Sequence, residues 1–272
     1  MNAMIVLGGN MYDDSTIEHF LADAAAIGYR GVEIRGVGEL KDGRIPQERA
    51  VHIKQLLDGY RLTPTNLSLF AGNFACNTEE ENLVEFDKWE RYLDFASVIG
   101  RGMMRLNPGF QHSDEVSPED FAKAVRWFQR CADAAKERGI KAVIEIHHGT
   151  LCDHADASIT FLQAVGRDNV GLILDPVNMY QVPTDYGIET IKRLQPYLYN
   201  VHIKDIVQLK GTRYPWAFEY SDYVPHIGRY HRVIPKNNKT WERYYCHRLI
   251  NQGESTGTRC SRGSSKSAIA VS

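Results

Sequence analysis

The stretch KAVIEIHHG, residues 141–149, is the part of the sequence that says most about the fold. Its first half is short, apolar and β-branched, which is typical of a strand buried in a parallel sheet. A helix signal precedes it, with Ser117 as the cap, Pro118 in the first turn and Gly139 at the end. Glu145 stands inside the apolar run, where an isolated carboxylate is costly. The stretch therefore predicts a buried strand with a compensating group opposite Glu145.

The same pairing of a short apolar run with a run of helical periodicity recurs on both sides of this stretch. Seven such alternations within about 205 residues predict a parallel sheet with right-handed crossovers. A doubly wound sheet is disfavoured because the first turn, GGNMYDD, lacks the GxGxxG spacing. We expect an α/β protein with a (β/α)8 TIM barrel fold and its site at the carboxyl ends of the strands. The predicted strands are 4–7, 31–36, 63–70, 102–109, 141–149, 170–178 and 198–205.

The C-terminal part of the sequence departs from this alternation. We expect a barrel over residues 1–235 and an atypical, basic, Ser-rich and disordered tail over residues 236–272, which has seven basic and two acidic residues. Only WERYYCHRLI, residues 241–250, has the composition of a short helix, and no apolar run predicts an eighth strand. The sequence thus predicts an incomplete C-terminal end of the barrel.

Composition and charge narrow the function. The net charge of −2 and the pI near 6.6 argue against a nucleic-acid or membrane partner and favour a small-molecule substrate. Five widely spaced cysteines without a CxxC pair argue against a disulfide framework or a thiolate zinc site. The first residues resemble no leader and no run is long enough to span a bilayer, so we expect a cytoplasmic protein, with a homo-oligomer left open.

Three consecutive predicted strands end in polar residues, which are Glu145, Asp175 and His202. If the strands are parallel neighbours, all three side chains project into one mouth of the barrel. Two carboxylates and an imidazole suit a divalent Mn, Mg, Co or Zn ion. The alternative is that Glu145 pairs with Lys204 or Arg105, that Asp175 caps the next segment and that His202 is a core histidine. We favour the metal site because the pattern repeats on three strands.

These strands resemble a known group of enzymes. GYRGVEIRG, AVIEIHHGTL, GLILDPVNMY and NVHIKD are similar to the sugar phosphate isomerase/epimerase superfamily with the xylose isomerase-like barrel, over about residues 4–235. The resemblance implies that Glu145, Asp175 and His202 hold a divalent ion. It also implies that Glu145 acts as acid and base on a sugar through an enediolate.

One expected residue of that family is not found. The family's fourth ligand is a glutamate at the end of strand eight, and only Glu242 and Glu254 follow strand seven's loop, in surroundings that do not resemble a strand. We hypothesise a C-terminus altered by a reading-frame change or by divergence, and the loss of the fourth ligand. Sequencing the encoding DNA tests this hypothesis.

Further polar residues near the predicted mouth are candidates for binding substrate. We expect His147, Asn66, Asn107 and Lys204 to bind substrate, and Arg105 is a weaker candidate. The alternatives are a hydrogen bond from His147 to Glu145, turn closure by asparagine, and neutralisation of Asp175 by Lys204. The aromatic loop over residues 213–231 is long enough to form a lid or to pack on the barrel rim.

The resulting functional hypothesis is a divalent-metal-dependent isomerase or epimerase of a small sugar or related carbonyl compound. A lyase similar to inosose dehydratase would use the same residues, and a non-catalytic barrel without its fourth ligand is the alternative from another class. A phosphodiesterase is disfavoured because that chemistry needs more zinc ligands and a basic groove.

Overall fold

The computed structural model describes residues 4–100, 102–181, 184–209, 223–224, 228–233 and 243–247. Two compact units divide the chain. The first contains the residues up to Ile173 together with Tyr197–Asn200, and the second contains Leu174–Pro196 and the part that follows Val201.

A seven-stranded sheet forms the centre of the first unit. Its strand order follows the chain from β1 to β7, and the pairs from β1 to β6 are parallel. Sequential parallel order requires a crossover after each strand, which the intervening helices provide. The strands are β1 (Leu7–Gly8), β2 (Gly31–Arg35), β3 (Thr63–Ser68), β4 (Met103–Arg105), β5 (Lys141–Glu145), β6 (Val170–Leu174) and β7 (Leu198–Val201). The helices are α1 (Ile17–Ile27), α2 (Gln47–Tyr60), α3 (Glu79–Ile99), α4 (Pro118–Glu137) and α5 (Ala155–Val165).

Local capping signals fix the ends of these helices. Thr78 and Glu81 form a reciprocal capping box at the start of α3, and Ser117 accepts from the backbone N–H of Asp120 at the start of α4. Gly28 ends α1 with a φ of 100°, a left-handed conformation that glycine adopts without a steric penalty. The helix α4 therefore begins and ends close to where the sequence predicts.

The core of this unit lies between the sheet and its helices. The β5 residues Ala142, Val143 and Ile144 are all buried, so both faces of this strand are covered. Phe128 of α4 and Phe161 of α5 pack edge to face with ring centroids 5.5 Å apart. This packing holds β5 and its terminal Glu145 in a fixed position.

The second unit has a different architecture. It contains the short helices α6 (Pro176–Tyr180) and α7 (Ile188–Leu194) and a four-stranded antiparallel sheet in the order β8-β11-β10-β9. The strands are β8 (Ile206–Leu209), β9 (Tyr223–Val224), β10 (Gly228–Val233) and β11 (Arg243–His247). Within the described residues, no helix combines the length and the apolar composition needed to cross a membrane.

Several sequence predictions are corrected here. The helix expected over residues 241–250 is wrong, because Arg243–His247 forms the strand β11 between β8 and β10. Aromatic residues favour strands when partners are present, and the local pattern did not reveal those partners. Within the apolar run 170–178, the strand expected to end in Asp175 ends one residue earlier, at Leu174, and Pro176 begins the helix α6.

The tail and the aromatic loop are described only in part. Of the tail over 236–272, the structure describes β11, and of the loop over 213–231 it describes β9 and the beginning of β10. Glu242 and Glu254, the two candidates for the fourth ligand, lie outside the described residues. The altered C-terminus and the lid remain predictions.

Candidate metal centre at the strand ends

Glu145 is the last residue of β5, and 8% of its surface is exposed. Its Oε2 accepts a hydrogen bond from Nη1 of Arg105, the last residue of β4. The Arg105 Nη2 also donates to the backbone oxygen of Leu69 at 3.2 Å. A guanidinium on the neighbouring strand therefore compensates the buried carboxylate, which is one of the two partners that the sequence suggested for Glu145.

Asp175 directly follows β6 and is completely buried. Its Oδ1 accepts from the backbone N–H of Asn178 at 3.1 Å, so it caps α6. Its Oδ2 lies 2.5 Å from Lys204 Nζ and 3.6 Å from His202 Nδ1. Among the described residues, no donor is aligned to form a hydrogen bond with this oxygen. Asp175 thus serves as a cap while its second oxygen faces two nitrogen atoms.

His202 directly follows β7, and its backbone N–H donates to Leu174 O at 2.9 Å. This bond places His202 beside the last residue of β6 and next to Asp175. The structure therefore brings together three of the residues named from the sequence, Asp175, His202 and Lys204, within the second unit.

The donor chemistry of these residues fits a divalent ion. Glu145, Asp175 and His202 each offer one ligand atom, two carboxylate oxygens and one imidazole nitrogen. Such a mixed oxygen and nitrogen set suits Mn²⁺, Mg²⁺, Co²⁺ or Zn²⁺. The buried Asp175 Oδ2, which lies beside Lys204 Nζ and His202 Nδ1, would be one of these ligand atoms.

His147 lies just beyond β5. The ring Nδ1 of His147 is 2.6 Å from the backbone oxygen of His148. The backbone N–H of His147 donates to the backbone oxygen of Cys152 at 3.2 Å. The centroids of the His147 and His148 rings lie 4.4 Å apart. These contacts fix the backbone and the ring of His147 at the end of the strand, and its role in binding substrate stays a prediction.

The two asparagines have structural contacts. Asn66 is buried in β3 and donates from Nδ2 to Glu33 Oε2 at 2.8 Å. Asn107 Oδ1 accepts from the backbone N–H of Gly109 at 2.9 Å, which closes the turn after β4. Hydroxyl binding by either residue therefore remains a prediction.

A second polar cluster was missed by the sequence analysis. Asp153 Oδ1 lies 2.7 Å from His154 Nδ1, and its Oδ2 lies 3.1 Å from His112 Nδ1. Burial by itself would raise the pKa of Asp153, but hydrogen bonds from His154, Ser113 and His112 lower this pKa to about 2. The hydrogen bond to Asp153 raises the pKa of His154 above its usual 6.5. His112 and Asp153 are 41 residues apart, so no local pattern indicated this cluster.

Two curated relatives are inosose dehydratases, from Serratia proteamaculans (strain 568) at 23% identity and from Glaesserella parasuis serovar 5 (strain SH0165) at 25% identity. Each match covers 71% of this chain and 65% of the relative. The chain therefore matches slightly less than two thirds of the length of these relatives.

Three solved structures illustrate the fold that this chain resembles. The probable 3-DHS dehydratase AsbF from Bacillus anthracis has a TM-score of 0.67 at 18% identity, covering 80% of this chain and 77% of that chain. A D-psicose 3-epimerase studied in the presence of D-fructose has a TM-score of 0.64 at 15% identity, covering 78% and 77%. The IOLI protein with a bound zinc atom has a TM-score of 0.63 at 17% identity, covering 75% and 74%.

The expected barrel fold is confirmed by these likenesses together with the parallel order of β1 to β7. The family described as the xylose isomerase-like TIM barrel matches residues 21–240, well over half of the chain. The chain belongs to the xylose isomerase-like TIM barrel family, as the resemblance of its strands implied.

Proposed function

We propose that the protein is a divalent-metal-dependent isomerase or epimerase of a small sugar or a related carbonyl compound. Glu145, Asp175 and His202 hold the ion in this proposal, and Glu145 also acts as acid and base. His147, Asn66, Asn107 and Lys204 bind the hydroxyl groups of the substrate. The family and its sugar-modifying neighbours support this class of enzyme.

One observation carries the proposal, the position of the three residues at the ends of adjacent strands. Glu145 ends β5, Asp175 follows β6 and His202 follows β7, and these strands are neighbours in the sheet. In the parallel register Glu145 is paired with Ile173, two residues before Asp175. Since residues two apart in a strand point to the same side, this register favours a common direction for both carboxylates.

The charges of the site are consistent with a divalent ion taking the place of the side-chain cations that now lie beside Glu145 and Asp175. Arg105 now compensates Glu145, and Lys204 lies beside Asp175. A divalent ion would supply more charge at shorter distance than either side chain, and it would polarise the substrate carbonyl so that the neighbouring C–H becomes more acidic. Lys204 would then be available to orient a substrate oxygen.

Glu145 has the chemistry for the proton step. Its carboxylate would remove the proton from the hydroxyl-bearing carbon next to the carbonyl and return it to the former carbonyl carbon. The proton of the neighbouring hydroxyl group would move to the former carbonyl oxygen, so that a ketose and an aldose are converted into each other without net loss of atoms. Epimerisation requires in addition a proton donor on the opposite face of the carbon. The strand-eight glutamate of the family would be that donor, and its candidates lie outside the described residues.

Dehydration is the second candidate function. It is favoured by one specific observation, since both curated relatives are inosose dehydratases and one structural neighbour is a probable 3-DHS dehydratase. Glu145 would again remove the proton next to the carbonyl. The hydroxyl group of the following carbon would then leave with a proton as water, which leaves a double bond conjugated with the carbonyl.

The metal is tested first. Purified protein is loaded with Mn²⁺, dialysed and analysed for metal, and we expect Glu145→Gln and His202→Ala to lose the bound ion. Glu85→Gln is the matched control, because Glu85 is a partly buried glutamate that is paired with Lys88 on the outer helix α3. Unchanged metal content in Glu145→Gln and His202→Ala would contradict the proposed site and favour a non-catalytic barrel.

The reaction is tested next with a panel of ketoses and inososes in D₂O. Isomerisation or epimerisation introduces deuterium at the carbon next to the carbonyl, which NMR detects. Dehydration produces a conjugated enone that absorbs in the ultraviolet. A metal-loaded protein that catalyses neither exchange nor dehydration would contradict the proposed chemistry while leaving the metal site intact.

A further inference from the structure

We propose that Arg35, Phe70 and Arg105 form a binding site for an oxyanion, a carboxylate or a phosphate monoester, which we call the arginine pair site. Both guanidinium groups lie over the ring of Phe70. The Cζ atom of Arg35 is 4.9 Å from the ring centroid and that of Arg105 is 5.5 Å from it. Each guanidinium is planar and can donate two parallel hydrogen bonds to an oxyanion.

The sheet places the three side chains together at its carboxyl edge. Arg35 ends β2 and Arg105 ends β4, while Phe70 follows two residues after the end of the intervening strand β3. The register pairs Arg35 with Ser68 and Arg105 with Val143. The arginine pair site is therefore built on three adjacent strands, at the same edge as Glu145.

Phe70 is a large apolar residue with 52% of its surface exposed. Its backbone oxygen accepts a hydrogen bond from Lys88 Nζ at 3.1 Å, which fixes this part of the chain against α3. An exposed ring at the edge of a sheet is poorly explained by core packing. It is explained by its use as a platform that keeps both guanidinium planes in place.

Specific contacts orient each guanidinium. Arg35 donates from Nη1 to Asn10 Oδ1 at 2.8 Å, and its Nε lies 2.9 Å from Asp13 Oδ1. Arg105 donates to Glu145 and to Leu69 O. The two bonds of Arg105 use two of its five N–H groups, so donors remain for a ligand.

The charge of the site depends on Glu145, and this step rests on the proposed function. While Glu145 is paired with Arg105, the carboxylates of Glu145 and Asp13 balance the two guanidinium groups. Once Glu145 serves as a metal ligand, Arg105 loses this partner and the arginine pair site has excess positive charge. An acid group of the substrate would restore the balance, which points to sugar acids or sugar phosphates as substrates.

Three related probes separate the sources of the negative charge. Sorbitol is neutral, gluconate has a terminal carboxylate and sorbitol 6-phosphate has a terminal phosphate, all on a six-carbon polyol. Binding is measured by calorimetry with and without Mn²⁺. We expect one or both anions to bind at least about 10-fold more tightly than sorbitol, since hydrogen bonds to charged groups have this magnitude.

Variants locate the binding. We expect Arg35→Met and Arg105→Met each to weaken binding of the preferred anion by about 10- to 100-fold, and the outer-surface control Arg126→Met to leave it unchanged. Phe70→Leu keeps both charges and should weaken binding through the loss of the platform. If Arg105→Met does not fold, the Phe70→Leu variant still tests the arginine pair site.

Glu145→Gln separates the arginine pair site from the metal. This variant should lose Mn²⁺ and still bind the anion through Arg35 and Arg105. Loss of anion binding together with Mn²⁺ would mean that the probe was held by the ion, and would overturn the arginine pair site while the metal site stands. Arginine-dependent anion binding in a protein that never binds Mn²⁺ would support the arginine pair site and overturn the proposed function. Equal affinity for all three probes would identify the stack as purely structural and overturn the inference.

Discussion

Glu145 and Asp153 are equally buried carboxylates of the first unit, each with 8% of its surface exposed, but their surroundings differ. Glu145 ends a strand and accepts a hydrogen bond from the guanidinium of Arg105. Asp153 lies in the loop before α5 between the imidazoles of His112 and His154. Burial alone therefore does not distinguish a candidate catalytic carboxylate from a structural one.

The difference lies in what each carboxylate connects. Asp153 joins its own loop to the loop after β4, since it accepts from the Ser113 N–H at 3.3 Å as well as facing His112 and His154. All of these partners lie in those two loops, so the cluster crosslinks them. Glu145 instead stands at the carboxyl edge of the sheet, beside Arg105 at the end of the neighbouring strand β4. Glu145 can therefore exchange its partner Arg105 for a bound ligand such as a metal ion.

The largest effect is expected from Arg105→Met. This change leaves the buried Glu145 carboxylate without its guanidinium, and breaking a buried pair in this way costs about 3 kcal/mol. We expect the free energy of unfolding in urea to decrease by this amount in metal-free buffer at pH 7, and by less in saturating Mn²⁺.

Arg126→Met serves as the control for this prediction. Arg126 pairs with Glu79 at 3.2 Å between exposed side chains, and such pairs contribute at most about 1 kcal/mol. Equal and small losses of stability in both variants, with no effect of Mn²⁺ on either, would show that neither Arg105 nor an ion compensates the buried charge of Glu145.

A smaller effect is expected from Asp153→Asn. The pKa of Asp153 is about 2 in the folded protein and close to its ordinary 3.8 in the unfolded chain, which corresponds to about 2 kcal/mol of stability at neutral pH. Because the folded pKa is the lower one, this contribution is present above about pH 4 and is lost as the pH decreases towards 2. The difference in unfolding free energy between wild type and variant should therefore shrink over that interval.

Asp133→Asn is the matched control, since Asp133 is an exposed carboxylate paired with Arg167 at 2.6 Å on the outer surface. Asp133→Asn should decrease the free energy of unfolding only slightly, and this decrease should become smaller in high salt. A loss in Asp153→Asn that stays constant from pH 7 to pH 2.5 would show that the carboxylate contributes through its shape and not through its charge.

The first unit could largely be predicted from the sequence. The helix expected between Ser117 and Gly139 is α4, because the cap Ser117 and Pro118 in the first turn are local signals. The strand expected over 102–109 is shorter, since β4 ends at Arg105 and the backbone of Asn107 pairs instead with Gly72. Local sequence thus predicts which elements form, and long-range pairing decides where a strand stops.

Contacts that are distant in sequence were beyond prediction. The strand β11 requires β8 and β10 as partners, and its own composition equally fitted a short helix. For the candidate site, the positions of Glu145, Asp175 and His202 followed from the strand ends, and Arg105 was one of two partners considered for Glu145. The Asp153 cluster and the arginine pair site each join separate loops or strands, so neither leaves a pattern in one stretch of sequence.

The smallest effect is expected from His154→Gln, and it has the opposite pH dependence. The hydrogen bond to Asp153 raises the pKa of His154 above 6.5, and Asp156 and Asp114 act in the same direction. Because the folded pKa is the higher one, the contribution is complete below pH 6.5 and is lost as the pH increases through the raised value. The effect is small because 38% of the side chain is exposed and solvent screens the charge.

Unfolding in urea at pH 5.5 and at pH 9 checks this dependence. The variant should be less stable than wild type at pH 5.5 and equal to it at pH 9, whereas His19→Gln, at an exposed pair with Asp23 on α1, should differ little at either pH. An equal loss at both values would mean that the imidazole of His154 acts through packing alone. The contrast between the two buried carboxylates would then rest on the lowered pKa of Asp153 alone.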